Sequence, residues 1–144
     1  LVLAGCAGLN EQSARYADYA AFKTGKFASK LPSTLVPVSA RDIRVTYNID
    51  TTEIDAVFAF ERADAEGMIS PFRSPDQIRL HELEASGQVP PSQEVNPLFV
   101  RCTDWGVEYL QVNAMTHAHY WTSSDPKLRK IACVHEPARP SIST

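Results

Sequence analysis

An antiparallel α+β fold, a sheet of about five strands with one main helix packed on one face, is what this sequence predicts. Three observations carry it. Apolar and polar residues alternate with period two near the start of the body and again in its last third, the signature of half-buried strands. A single segment with helix caps at both ends lies between them. The resulting order, ββαβββ, places hairpins on either side of a helix and loop, which suits an antiparallel sheet covered by one helix.

The elements follow in chain order. Residues 6–33 read as a tether with some helical character: Asn10 can cap, Tyr16, Tyr19, Ala20 and Phe22 recur at roughly helical spacing, and Gly25 can end the run. A flexible spacer fits the same ragged stripe. The domain proper is expected over 34–136. In it Ile43, Val45, Tyr47 and Ile49 alternate with Arg44, Thr46, Asn48 and Asp50, a strand with one apolar face. Asp50-Thr51-Thr52 favours a turn, and Val57 with Ala59, or Phe58 with Phe60, supplies the returning strand. Ser74-Pro75-Asp76-Gln77 predicts a helix with Ser74 as N-cap and Pro75 at the first helical position, closed by Gly87. Ser86 to Pro97 holds three prolines and a glycine and reads as a loop. Leu98–Cys102 predicts a short strand, and Val107–Asn113, Met115–Trp121 and Leu128–His135 predict three more, the last two joined through Thr122–Lys127. Residues 137–144 are expected to be a disordered tail.

The N-terminal edge adds a location. Leu3-Ala4-Gly5-Cys6 closes an apolar run on two small residues and a cysteine. Position by position it resembles the lipobox of bacterial lipoproteins, and the absence of an initiator Met or a basic leader fits a cropped precursor. The resemblance implies that residues 1–5 are the end of a signal peptide that is removed. Cys6 would then carry a covalent lipid, a thioether-linked diacylglycerol with a further acyl chain in many bacteria. Because the next residue is Ala7 rather than Asp, it also implies the inner leaflet of the outer membrane, with the domain facing the periplasm. Two or three acyl chains anchor far more firmly than one, at about 0.8 kcal/mol per buried CH₂. The run from Leu31-Pro32 through Ser39-Ala40-Arg41-Asp42-Ile43, with Phe58-Ala59-Phe60-Glu61, is similar to small uncharacterised proteobacterial lipoproteins and transfers no site residue.

With Cys6 assigned to lipid, an even pair remains, Cys102 and Cys133, and an oxidising periplasm favours a disulfide between them. Two separate buried thiols, or a metal pair with histidines, are the competing readings.

A formal net charge of −3 over 144 residues offers no broad electropositive footprint, so nucleic acid is not an expected partner. No Gly-x-Ser-x-Gly elbow, His-Glu-x-x-His, Cys-x-x-Cys or glycine-rich phosphate loop occurs. Asp104, Glu108, Glu82 and Glu84 read as solvated carboxylates. His117-Ala118-His119 is the one metal-like spacing, since residues i and i+2 of a strand share a face, but no third ligand falls beside them in the expected hairpin register. What stands out is a set of residue types that carry interface energy: Trp121, His117, His119, Arg129 and Lys130 on or near one hairpin, and Trp105 upstream. The expected function is a lipid-anchored module that binds another envelope protein, as an assembly factor or an immunity-type inhibitor of a delivered toxin. The alternative is a small periplasmic enzyme or metal-binding protein using His117 and His119. No cofactor is expected beyond the lipid on Cys6, and the membrane is the second expected partner.

Overall fold

The computed structural model describes residues 10–87 and 97–133. The lipobox with Cys6, the centre of the proline-rich loop and the tail expected over 137–144 lie outside that range. Six strands form one antiparallel sheet: β1 (Glu11–Asp18), β2 (Arg41–Asn48), β3 (Ile54–Ala59), β4 (Leu98–Cys102), β5 (Val107–Asn113) and β6 (His117–Ser123), in the spatial order β1-β2-β3-β6-β5-β4. Two three-stranded meanders are therefore joined along their third strands, with Val57 opposite His119 at the seam. The short helices α1 (Tyr19–Lys23) and α2 (Ala65–Ile69) precede α3 (Gln77–Ala85) and α4 (Pro126–Cys133).

The segment expected to be a tether is instead part of the fold. Glu11 to Asp18 pairs with β2 along its length, from Glu11 opposite Asn48 to Asp18 opposite Arg41. Asp18 then caps α1 by accepting from the Ala21 N–H at 3.0 Å. Phe22, Phe27, Leu31, Leu35 and Val36 follow, all buried. They lie on one sheet face against Ile43, Val45, Ala56, Phe58, Leu110 and Val112, and the 60–72 segment completes that layer with Phe60, Met68 and Phe72. A side chain such as Phe27, with 1% of its surface exposed, contributes about 2–3 kcal/mol by leaving water, which explains why the chain doubles back here.

Among the described residues the opposite face is covered only at the β4–β5 end. There α3 and α4 bury Leu83 and Leu128 on Leu98, Val100, Val107 and Tyr109. The helix α3 starts two residues later than the sequence reading had it, because Asp76 rather than Ser74 is the cap and accepts from the Arg79 N–H at 2.8 Å. Gly87, at a φ of 82°, takes the left-handed position that glycine accepts without strain and ends the helix as expected.

The strand expected over Leu128–His135 is a helix through Cys133, with His135 outside the described residues. Pro126 enters at the first turn, and the Asp125 carboxylate accepts from the Lys127 N–H at 2.9 Å. Leu128, Ile131 and Ala132 then share the side that meets the sheet, the helical spacing winning over the loose alternation. A disulfide joins Cys133 to Cys102 at the end of β4, their Cα atoms 6.0 Å apart, so the helix is held covalently to the sheet it covers.

Two features tune the strands. In β2 the register shifts between Arg41 and Arg44, with Asp42 at a φ of 51°, a bulge whose carboxylate meets Arg44 at 3.1 Å and Arg15 at 3.7 Å. Within the three-residue β5–β6 connection the Thr116 N–H closes a turn on the Asn113 carbonyl at 3.1 Å, and its central residues Ala114 and Met115 stand at φ values of 55° and 61°, a left-handed pair that neither residue prefers.

Candidate functional site

The uncovered half of the second face, across β2, β3, β5 and β6, is the candidate interaction surface. Alternation along β6 puts His117, His119 and Trp121 on it together, as the i and i+2 spacing requires. The His119 ring bonds Asp55 through Nε2 and Oδ2 at 2.9 Å and lies 4.5 Å from the Trp121 ring. Trp121 in turn stacks on Tyr109 at 5.2 Å and 20°. A row thus runs from an exposed carboxylate through an imidazole and an indole to a buried phenol, passing from solvent into the core beneath α3 and α4. Burial, with Asp125 adding a smaller effect, pushes the Tyr109 hydroxyl up to about 12. His117 sits further along the strand, its Nδ1 3.0 Å from the Thr116 hydroxyl. Arg44 and Asp42 border a shallow concavity of about 340 Å³ together with Gln111, Asn113 and both histidines.

The remaining residues of the expected surface are dispersed. Arg129 and Lys130 belong to α4, since residues 126–133 are helical rather than the returning strand of a hairpin with 115–121. Arg129 donates its Nε–H to the Thr103 carbonyl at 2.8 Å and ties that helix to the β4–β5 turn. Trp105 occupies the same turn, half exposed, and faces the other side of the sheet. His117, His119 and Trp121 stay together because one strand dictates their side. The others are neighbours in sequence but not on one face.

As candidate metal ligands the histidines are differently placed from one another, His119 engaged with Asp55 and His117 beside Thr116. Among the described residues no group of three His, Cys, Asp or Glu side chains converges on one point.

Glu108 is the functional-type residue that the sequence reading placed in solvent and the structure buries, at 5% exposure. It lies on the first sheet face, accepts from Arg101 Nε through Oε1 and from the Tyr120 hydroxyl through Oε2 at 2.9 Å. Burial chiefly, and the Glu108 carboxylate next, push the Tyr120 hydroxyl well above the usual phenol range. The sequence carried one signal for this: Glu108 follows Val107 directly and precedes Tyr109-Leu110, so it interrupts an apolar run that suits a strand covered on both faces.

No protein-family profile, curated protein or solved structure matches this chain. No helix among the described residues is long and apolar enough to cross a membrane.

Proposed function

We propose that this protein is a lipid-anchored envelope protein, held through Cys6, that docks another envelope protein on the open half of its sheet, as an assembly factor or as an inhibitor of a delivered toxin. The observation that carries the reading is the Asp55–His119–Trp121–Tyr109 row on a sheet face that no described residue covers between β2 and β6. Its aromatic rings are pre-set by stacking, so little side-chain entropy is lost when a partner covers them, and Arg44, Asp42 and Asp55 supply charges of both signs around the rim. The lipobox resemblance supports the anchor. Ala7 supports an outer-membrane address facing the periplasm. The alternative, an enzyme or metal protein using His117 and His119, draws less support, because the two imidazoles bond different partners, Asp55 and Thr116, and no third ligating side chain converges on them among the described residues.

Photo-crosslinking in cells tests the docking face. A benzophenone at 57, 111 or 117 should give one discrete adduct with the same protein, reduced at least about tenfold by Trp121→Ala, while a benzophenone on the exposed side of α3 at 81 gives none. Adducts of equal yield from both sides would refute the assignment. For the anchor, an alkyne-tagged fatty acid should label the wild-type chain and not Cys6→Ser; equal labelling, or none in either, would overturn it.

A further inference from the structure

On the face opposite the histidines a cleft of about 550 Å³ opens between the 28–32 segment and the β4–β5 turn, within the range of small-molecule sites. Its floor is the Arg101–Glu108–Tyr120 network. A buried arginine–carboxylate pair is not generally more stabilising than apolar residues of the same size, so stability alone gives little reason for one on the core side of a sheet. The division of labour within it is informative. Both oxygens of Glu108 are used inside the protein, whereas Arg101 spends only its Nε–H on Glu108 and stacks on Phe72 at 5.0 Å. Its two terminal amino groups have no hydrogen-bond partner among the described residues, and the side chain, 31% exposed, borders the cleft. Lys30 approaches from the other wall with its Nζ 4.7 Å from the centre of the Tyr47 ring and no carboxylate partner among the described residues. Two cations against one carboxylate make this lining positive in a chain whose net charge is −3.

The rim defines the rest of the ligand. Trp105, 52% exposed, presents its indole at the mouth. Thr52 and Thr122 belong to the wall, each with half of its hydroxyl's capacity already used: Thr122 Oγ1 accepts from the Ile54 N–H at 3.0 Å and keeps a proton to donate, and the Thr52 hydroxyl donates to the Thr51 carbonyl and keeps lone pairs to accept. An aliphatic acid would satisfy the cations and the indole but leave those hydroxyls against hydrocarbon, which is unfavourable. A pyranose offers a C–H face for the indole and a ring of hydroxyls for the threonines, and a carboxylate on it answers Arg101 and Lys30. We propose that the cleft binds an acidic saccharide, with the carboxylate on Arg101 and Lys30 and the sugar ring over Trp105.

Nuclear magnetic resonance on the full ¹⁵N-labelled chain tests this, because the two tryptophans report separate faces of the sheet. Titration with trigalacturonate should shift the Trp105 indole N–H saturably with a Kd of about 1 mM or tighter and leave the Trp121 indole in place. Galactotriose and decanoate should bind at least about tenfold more weakly, as should trigalacturonate to Lys30→Glu, an exposed change that leaves the network intact. In Trp105→Ala the Thr122 amide should report the same loss. The proposal is overturned if trigalacturonate at about 10 mM moves neither signal, if it moves Trp121 instead, if galactotriose or decanoate binds as tightly, or if Lys30→Glu binds unchanged.

Discussion

Tyr120 on β6 donates its hydroxyl to Glu108 on β5 across 2.9 Å, two residues out of line with their nearest cross-strand partners, Leu110 and Thr122. The diagonal places a charged group and a phenol together on the core side of the sheet, and each reduces the other's desolvation cost. Glu108→Ala should therefore lower stability by about 2–4 kcal/mol, since Tyr120 and Arg101 both lose their partner. In Glu108→Leu with Tyr120→Phe the loss should be smaller than the sum of the single changes by about 1–3 kcal/mol. Urea midpoints of the four proteins give the coupling, and additive losses would show that the two residues act separately.

Covalent closure of the 31-residue span from Cys102 to Cys133 ties α4 to the sheet. Reduction, or Cys133→Ser, should cost about 3–4 kcal/mol through the regained entropy of the unfolded chain. The check is a pair of denaturant curves with and without reductant, together with hydrogen exchange, in which the amides of 126–133 should lose protection ahead of β5 and β6.

Residues 10–40 supply an edge strand and six buried side chains to the core rather than a leash. Removing residues 1–33 should leave no cooperatively folded domain, and Phe27→Ala alone should cost about 3–5 kcal/mol. A truncated chain that melts with the same midpoint as the full one would contradict the packing.

Ala114, exposed at a φ of 55°, holds a conformation that costs an L-residue about 1 kcal/mol and glycine almost nothing. Ala114→Gly should raise stability by roughly 0.5–1 kcal/mol, read as a higher urea midpoint with an unchanged slope. Gly106→Ala should do the reverse, because a Cβ there would stand 2.1 Å from the Ser123 carbonyl oxygen, backbone that cannot swing aside.

Alkaline pH provides a separate handle. Tyr109 and Tyr120 both ionise less readily folded than unfolded, where a phenol titrates near 10. Above that value the unfolded state holds fewer protons than the native one, so stability falls with rising pH, by up to about 1.4 kcal/mol per pH unit for each group. The contribution is complete below pH 10 and is lost through about 12 for Tyr109 and beyond it for Tyr120. Absorbance of tyrosinate should show two of the five phenols appearing only with unfolding. Tyr120→Phe should reduce that number to one.

By itself the sequence determined the α+β class, the strands at 41–48, 54–59, 98–102 and 107–113 to within a few residues, the central helix with its closing Gly87, and the cysteines that pair. Each is written locally: alternation sorts a strand's two faces, caps mark a helix's ends, and parity pairs two thiols. His117, His119 and Trp121 were legible as companions for the same reason, a period of two along one strand. Tertiary structure alone decided that Glu11–Asp18 is an edge strand, because backbone pairing with β2 needs no particular side chains and its polar residues resemble a spacer. It also decided that 126–133 is helical, where the apolar side of a short amphipathic segment is settled by the β4–β5 surface it must cover. And it buried Glu108 while leaving Trp105 out, since both faces of β5 are covered at that end, and which polar residue meets a partner there depends on the layers packed above and below it.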